Sequence, residues 1–421
     1  MKFQSLKGMD DIVSPEIEKW QVLEERTRRF FEAHGFREIR TPILELSGLF
    51  VRSIGEASDI IHKEMYSFED RGGRQISLRP EMTASVVRSA LEHQLVRPDS
   101  EPMQVYYLGP MFRAERPQAG RKRQFHQIGV EMLNTTSGAS DAELILAAKN
   151  YLEWLGVKEF LIKLNHLGSE SDREQFAKNL KEYFENASAN LCEDCKYRLT
   201  RNVLRIFDCK NEACQSVIEK APEPKLSKEA NDDFSVIRSI LETEKVCFQY
   251  SPRLVRGLDY YTGLVFEVTA KGLGAQDAVL AGGRYDGLIS DLGGPRLGAN
   301  GFSIGVERLL LVLEHAGIHL EKIALADTIY VAVLDETSKY RLFARKINQA
   351  LVDCGKRVRM SMQKSSLGSH LKRANKIGAA FTIIVGEDEL SAGEVTIKKM
   401  DTGDQKRLKP EELLQYFLTT K

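Results

Sequence analysis

Apolar residues early in the chain recur three and four positions apart, with Ile17, Trp20, Leu23, Phe30 and Phe31 forming one stripe of a helix. Ser14, Pro15 and Glu16 stand before it as a cap, a first-turn proline and an acid at the positive dipole end. Gly35 lies near its end, and Phe36–Pro42 reads as a strand closed by proline. The pattern then changes period. Val105–Phe112 is apolar and aromatic-rich, and Phe125–Leu133 carries Phe125, Ile128, Val130, Met132 and Leu133, so both read as strands. Between them, Arg113–Gln124 holds four arginines, one lysine, a proline and a glycine, which predicts two antiparallel strands joined by a long basic loop. Gln127, Gly129 and Glu131 are two apart and share one face, while Ile128, Val130 and Met132 suit a core on the other. A row of polar groups backed by a packed sheet is what a small-molecule site requires. Taken alone, the same hairpin reads equally well as a solvated charge run.

Ile76–Ala84 runs through Arg79-Pro80, which biases Arg79 to an extended conformation, into a helix starting at Thr83, with Glu81 placed as a capping acid. Asp141–Leu155 predicts a helix and Phe160–Leu164 a strand. From Ser169 the texture turns polar and helical, with one helix over Ser171–Leu191 and charged helical stretches to about Lys245. Phe302–Ile304 is an apolar strand running through Gly305 into a helix that bears Arg308 and Leu309–Leu313. A boundary is expected near Leu320–Asp327. Beyond it, strands at Thr328–Leu334, Val358–Ser361 and Phe381–Val385 alternate with helices at Tyr340–Asp353 and Leu367–Ile377. A hairpin, Val395–Lys399 with Gln405–Leu408, and a helix from Pro410 follow, so this part is an α/β unit with a parallel or mixed sheet.

Composition narrows the function classes. The 421 residues carry 60 basic and 60 acidic side chains, so no global field draws the chain to nucleic acid and any RNA-binding face must be local. One such patch is Lys356, Arg357, Arg359, Lys364, Lys372, Arg373 and Lys376. No apolar run approaches a membrane span, and the N-terminus lacks a signal-peptide core. Six cysteines, four of them clustered, fit a reducing compartment, and the expected location is the cytoplasm. Cys192-x-x-Cys195 and Cys209-x4-Cys214 offer four thiolates that could hold zinc tetrahedrally, although the second pair is looser than a usual knuckle; free buried thiols are the competing reading. No phosphate-binding G-x-x-x-x-G-K-[S/T] loop and no G-x-G-x-x-G after a strand appears.

Phe112-Arg113-x-Glu115, the basic loop, and Phe125-His126-Gln127-x-Gly129-x-Glu131 together resemble motif 2 of class II aminoacyl-tRNA synthetases in its histidyl-tRNA synthetase form. The first helix and the strand ending at Pro42 resemble motif 1, preceded by Lys7-Gly8-Met9-Asp10, and Gly301-Phe302-Ser303-Ile304-Gly305-Val306-Glu307-Arg308 resembles motif 3. Arg253–Val268, RLVRGLDYYTGLVFEV, is similar to a signature specific to the histidine enzymes. Tyrosines beside a strand belong more often to a core than to a ligand site, and the signature reverses that expectation.

The resemblance implies an α+β fold: an antiparallel sheet flanked by helices over 1–325, with a helical insertion at about 169–245, and an α/β anticodon-binding domain over 326–421. It implies activation of L-histidine by ATP, accompanied by Mg2+, and transfer to the 3′ end of tRNA(His) by a homodimer. Arg113 and Arg256 would flank the α-phosphate, and Arg308 would bind ATP phosphate. Glu81, Thr83 and Gln127 would hold the ammonium group, Glu131 and Tyr261 would read the imidazole, and Tyr260 and Tyr285 would join them. Arg116 and Gln118 would meet the tRNA acceptor end. The resembled family does not depend on a metal at the cysteines. The alternatives are a histidine-sensing regulatory paralogue and a binding-only module like that of a kinase that senses uncharged tRNA.

Overall fold

The computed structural model describes residues 3–55, 58–118, 120–273, 278–320 and 328–419. They divide into two compact units, one formed by Met1–Asp11 with Arg26–Ile318 and the other by Ile12–Glu25 with His319–Lys421. The expected boundary at 325/326 lies outside the described residues.

The first unit is organised by an eight-stranded sheet. In chain order its strands are β1 (Arg37–Glu38), β5 (Met103–Phe112), β6 (Gln124–Leu133), β7 (Phe160–His166), β8 (Phe248–Tyr250), β9 (Thr262–Ala270), β10 (Ala278–Arg284) and β11 (Ala299–Gly305). They lie in the order β1-β5-β6-β11-β10-β9-β7-β8, antiparallel except at the two edge pairs. A small separate sheet holds β2 (Leu44–Leu46), β3 (Ser67–Glu69) and β4 (Gln75–Leu78). The central antiparallel pairing matches the sequence expectation, because Val, Ile and aromatic residues at alternate positions pack one face. Helix α1 spans Glu16–Ala33, and its Phe31 stacks on Tyr106 of β5 at 5.5 Å and meets Tyr151 at 4.9 Å.

Two local expectations are corrected, and a third is refined. The strand expected over Phe36–Pro42 shrinks to Arg37–Glu38. The Ile39 amide still reaches the Tyr106 carbonyl, but Pro42 has no N–H and the Arg79 guanidinium takes the Thr41 carbonyl at 2.9 Å. The basic loop joins the two strands as expected and is braced within itself: the Arg113 amide donates to the Arg123 carbonyl at 2.8 Å, and Gln118 and Arg121 exchange backbone hydrogen bonds, continuing the β5–β6 ladder. The polar helix expected over Ser171–Leu191 ends at Asn186; it begins at Glu170, where Ser169 and Asp172 form a capping box.

The helical insertion leaves from β7 and returns to β8, which pair in parallel with Ile162 opposite Phe248, so the excursion opens and closes on one sheet edge. Its own core gathers Phe176, Leu180, Phe184, Val203, Ile206, Val217 and Ile218.

A buried ion pair braces the sheet near β10. Arg284 donates from Nε to Asp141 at 2.9 and 3.0 Å, from Nη1 to Asp286 at 2.7 Å and from Nη2 to the Thr136 carbonyl at 2.6 Å, while Asn300 also donates to Asp141. The Arg284 and Asp141 side chains are 3% and 1% exposed. Asp141→Ala strands a buried guanidinium, and urea unfolding is expected to show a loss of about 3–5 kcal/mol. A loss within experimental error would mean that Asp286 and the carbonyl suffice.

The second unit carries a five-stranded mixed sheet of Thr328–Val333, Arg357–Met360, Phe381–Val385, Val395–Lys399 and Gln405–Leu408. The first three strands are parallel and the last two antiparallel, as the alternation predicts. A short helix, Glu387–Ala392, was not foreseen. Arg357, Arg359, Lys364, Lys372, Arg373 and Lys376 are exposed and Lys356 half-buried.

Candidate active site

Register places the site. Glu131 lies opposite Val105 and Gly301, Gly129 opposite Tyr107 and Ser303, and Gln127 opposite Gly109 and Gly305. The same row continues to Ala281 and Gly283 of β10 and to Glu267 and Val265 of β9. Side chains alternate along a strand, so one face presents Tyr107, Gln127, Glu131, Ser303 and Glu267 among small residues. The glycines make the room. A Cβ on Gly129 would fall 2.0 Å from the Tyr107 ring, and one on Gly301 would fall 1.8 Å from Glu131 Oε2. The space left by Gly301 accommodates the Glu131 carboxylate.

The chain closes over this face at three places. The helix Thr83–Glu92 begins there, and Glu81 caps it by accepting from the Thr83 and Ala84 amides at 2.6 and 3.0 Å. Arg113 follows β5, and the stretch Arg256–Tyr261 leads into β9. The result is a cavity of about 170 Å³. Glu81, Thr83, Arg113, Gln127, Glu131, Arg256, Tyr260, Tyr261 and Tyr285 all line it, as do Tyr107 and Ser303.

One end is acidic and buried. Glu131 accepts from the Thr83 hydroxyl at 2.7 Å and from Tyr107 at 3.4 Å on one oxygen, and from the Tyr285 hydroxyl on the other. Burial, reinforced by the Glu81 charge, pushes its carboxyl up to about 8. Burial also raises Glu81. Gln127 donates to Ser303 at 3.4 Å, but its Oε1 is buried without a partner. Tyr260, Tyr261 and Tyr285 wall this end, with ring centroids 4.8–6.4 Å apart. Burial pushes the Tyr261 phenol up to about 12, so it remains a donor. The other end is cationic. Arg113 is held by Nε on the Pro80 carbonyl at 3.0 Å and lies over the Phe125 ring, while Arg256 Nη1 pairs with Glu267 at 2.8 Å.

An acidic pocket running into a pair of anchored arginines fits a ligand with an ammonium at one end and phosphate at the other. A family profile describing histidyl-tRNA synthetases matches residues 8–309, which take in every strand of this sheet. The chain belongs to the histidyl-tRNA synthetase family. A second profile, an anticodon-binding domain, matches residues 328–420. The chain is 42% identical over 419 residues to histidine–tRNA ligase of Halothermothrix orenii, covering 99% of both chains. It is 43% identical over 412 residues to that of Geobacter sulfurreducens, covering 97% of this chain and 98% of the relative. A crystal structure of apo S. aureus histidyl-tRNA synthetase superimposes with a TM-score of 0.78 at 30% identity, covering 99% of this chain and all of that one.

Three residues expected at a histidyl-tRNA synthetase site do not line the cavity. Arg116 and Gln118 are exposed on the basic loop. Arg308, in the first turn of the helix Val306–His315, lies beneath the loop tip, where a Cβ on Gly120 would be 3.2 Å from its Cγ. The Thr83 hydroxyl donates to Glu131 while its amide donates to Glu81, and Tyr285 also donates to Glu131.

Sequence reasoning missed Tyr107, Ser303 and Glu267. Tyr107 was legible in principle as a bulky residue opposite a glycine, once the register of Tyr107 with Gly129 is known. It also missed Glu307, which accepts from the His126 amide at 3.1 Å and ties the motif 3 helix to the motif 2 strand.

Proposed function

We propose that this chain is a histidine–tRNA ligase that joins L-histidine to ATP, giving histidyl-adenylate and pyrophosphate, and then passes histidine to the 3′ end of tRNA(His). The observation that carries this reading is the cavity with Glu81, Glu131 and the unpartnered Gln127 oxygen at one end and Arg113 and Arg256 at the other. An ammonium group suits the acceptors of Glu81 and Gln127, and relieves the cost of keeping two carboxyls buried. Glu131, with the phenols around it, reads the imidazole. The histidine carboxylate attacks the α-phosphorus of ATP between Arg113 and Arg256, whose charges stabilise the extra negative charge of the transition state. ATP enters as its magnesium complex, the ion held mainly by the nucleotide phosphates. Arg308 meets the outer phosphates. Positioning and charge supply the catalysis, since little covalent chemistry is left to side chains.

The catalytic domain occupies 1–325, with its insertion at about 169–245, and the anticodon-binding domain 326–421. The basic face of the second unit takes the anticodon arm. The working form is a cytoplasmic homodimer.

Histidine-dependent ATP–pyrophosphate exchange followed by charging of tRNA(His) tests this. Both activities are expected; exchange without charging would point to a regulatory relative. Arg116→Ala separates the two steps, because an exposed loop residue contacts the acceptor end and not ATP. Charging should fall on the order of tenfold, with exchange unchanged. Equal losses would move Arg116 into the adenylation step.

A further inference from the structure

The four insertion cysteines come from two pairs 14 residues apart, Cys195 to Cys209, yet their sulfurs all lie within 4.8 Å of one another. Cys192 caps the short helix Glu193–Arg201 and Cys195 lies in its first turn; Cys209 precedes, and Cys214 lies in, the helix Glu212–Ile218. All four are free thiols, and Cys195, Cys209 and Cys214 are buried while Cys192 is partly open. Cys192 and Cys209 sulfurs stand 3.8 Å apart. That is far beyond the roughly 2.05 Å of a disulfide. It equals the edge of a tetrahedron built on a zinc–sulfur bond of about 2.3 Å, which is about 3.8 Å.

Ordinary buried thiols behave as small hydrophobes and scatter through a core. Here the main chain also turns toward them: the Cys192 amide donates to Cys214 Sγ at 3.2 Å and the Asn211 amide to Cys209 Sγ at 3.4 Å. Such donors offset the charge of thiolates bound to a metal. The surrounding elements are also short, 9, 6 and 7 residues, so their stability rests on what they pack against and are tied to.

We propose that Cys192, Cys195, Cys209 and Cys214 form a tetrahedral zinc site that fastens the insertion. Four thiolates in a closed shell select zinc and leave no open position for chemistry, so the ion is structural. Its reach extends to the active site. The segment clamped between the two pairs presents Asn202, which donates to Asp259 at 2.7 Å, and Arg198 and Arg205, which pair with Asp59 at 3.6 and 3.7 Å. Asp259 lies three residues after Arg256, and a Cβ on Gly257 would meet Arg205 at 2.8 Å. The zinc therefore braces the loop that carries Arg256.

Elemental analysis of the full-length chain, purified without chelator from zinc-supplemented cells, should find about one zinc per chain. Cys195→Ser/Cys214→Ser should hold less than about a tenth of that and expose the insertion to proteolysis. Cobalt(II) added to the reduced, metal-stripped wild-type protein should give the intense visible bands of a tetrahedral thiolate complex, a readout that does not depend on the variant folding. Absence of zinc together with colourless cobalt titrations would overturn the site, and stoichiometric iron would overturn its assignment to zinc.

Discussion

Arg256→Ala is expected to abolish most histidine-dependent pyrophosphate exchange while leaving the dissociation constant for histidine within a few-fold. Arg256 is not a free surface cation. Glu267, fixed on β9, holds Nη1 at 2.8 Å, and Nε is buried without a hydrogen-bond partner. The guanidinium is therefore pre-oriented in a residue that lines the cavity. Removing one such group from a reacting centre costs about 3 kcal/mol or more, which is at least on the order of a hundredfold in rate. Arg256→Lys should rescue little, because an ammonium lacks the planar fork that can serve Glu267 and a phosphate together. Single-turnover adenylate formation measures the step directly. Wild-type rates in Arg256→Ala would remove Arg256 from the reaction.

Glu131→Gln should raise the Michaelis constant for histidine far more than that for ATP, by about 1–3 kcal/mol of lost recognition. The amide keeps the shape but fixes an NH2 donor at one position of a group that receives hydroxyls on both oxygens. The same change should stabilise the protein in a pH-dependent way. Glu131 titrates at about 8 in the fold against an ordinary 4.5. A raised carboxyl contributes stability that is fully present below the ordinary value and is lost as pH rises through the folded value. The wild type thus loses stability between about pH 4.5 and 8, whereas the amide of the Glu131→Gln variant does not titrate. Melting temperatures measured at several pH values should show the advantage of Glu131→Gln growing across that window and levelling above it. A constant difference would mean that Glu131 ionises normally. An unchanged histidine constant with weakened ATP binding would mean it does not read the imidazole.

What the sequence by itself determined is local and periodic. Alternation along Val105–Phe112 and Phe125–Leu133 was enough for the two central strands, because burying one face of a pleated strand demands that period. It also placed Gln127 and Glu131 on one face. The helix start at Thr83 was legible from backbone chemistry as well, since Pro80 holds Arg79 extended just before it. The family resemblance named nine residues that the fold brings to one cavity, without any knowledge of their contacts.

Tertiary structure decided who bonds whom. Nothing in the spacing shows that Thr83, Tyr107 and Tyr285 all spend their hydroxyls on Glu131, since these come from four separate parts of the chain. Nor does it show that Glu81 serves as a helix cap as well as a site carboxylate, or that Glu267 anchors Arg256. The four cysteines are the clearest case. Their spacing left zinc and buried thiols both open, and only the packing of three short elements brings the sulfurs within reach of one ion. Propensity acts over neighbours in sequence, whereas hydrogen-bond partners, burial and the pKa shifts that follow are set by groups that meet only when the sheet closes.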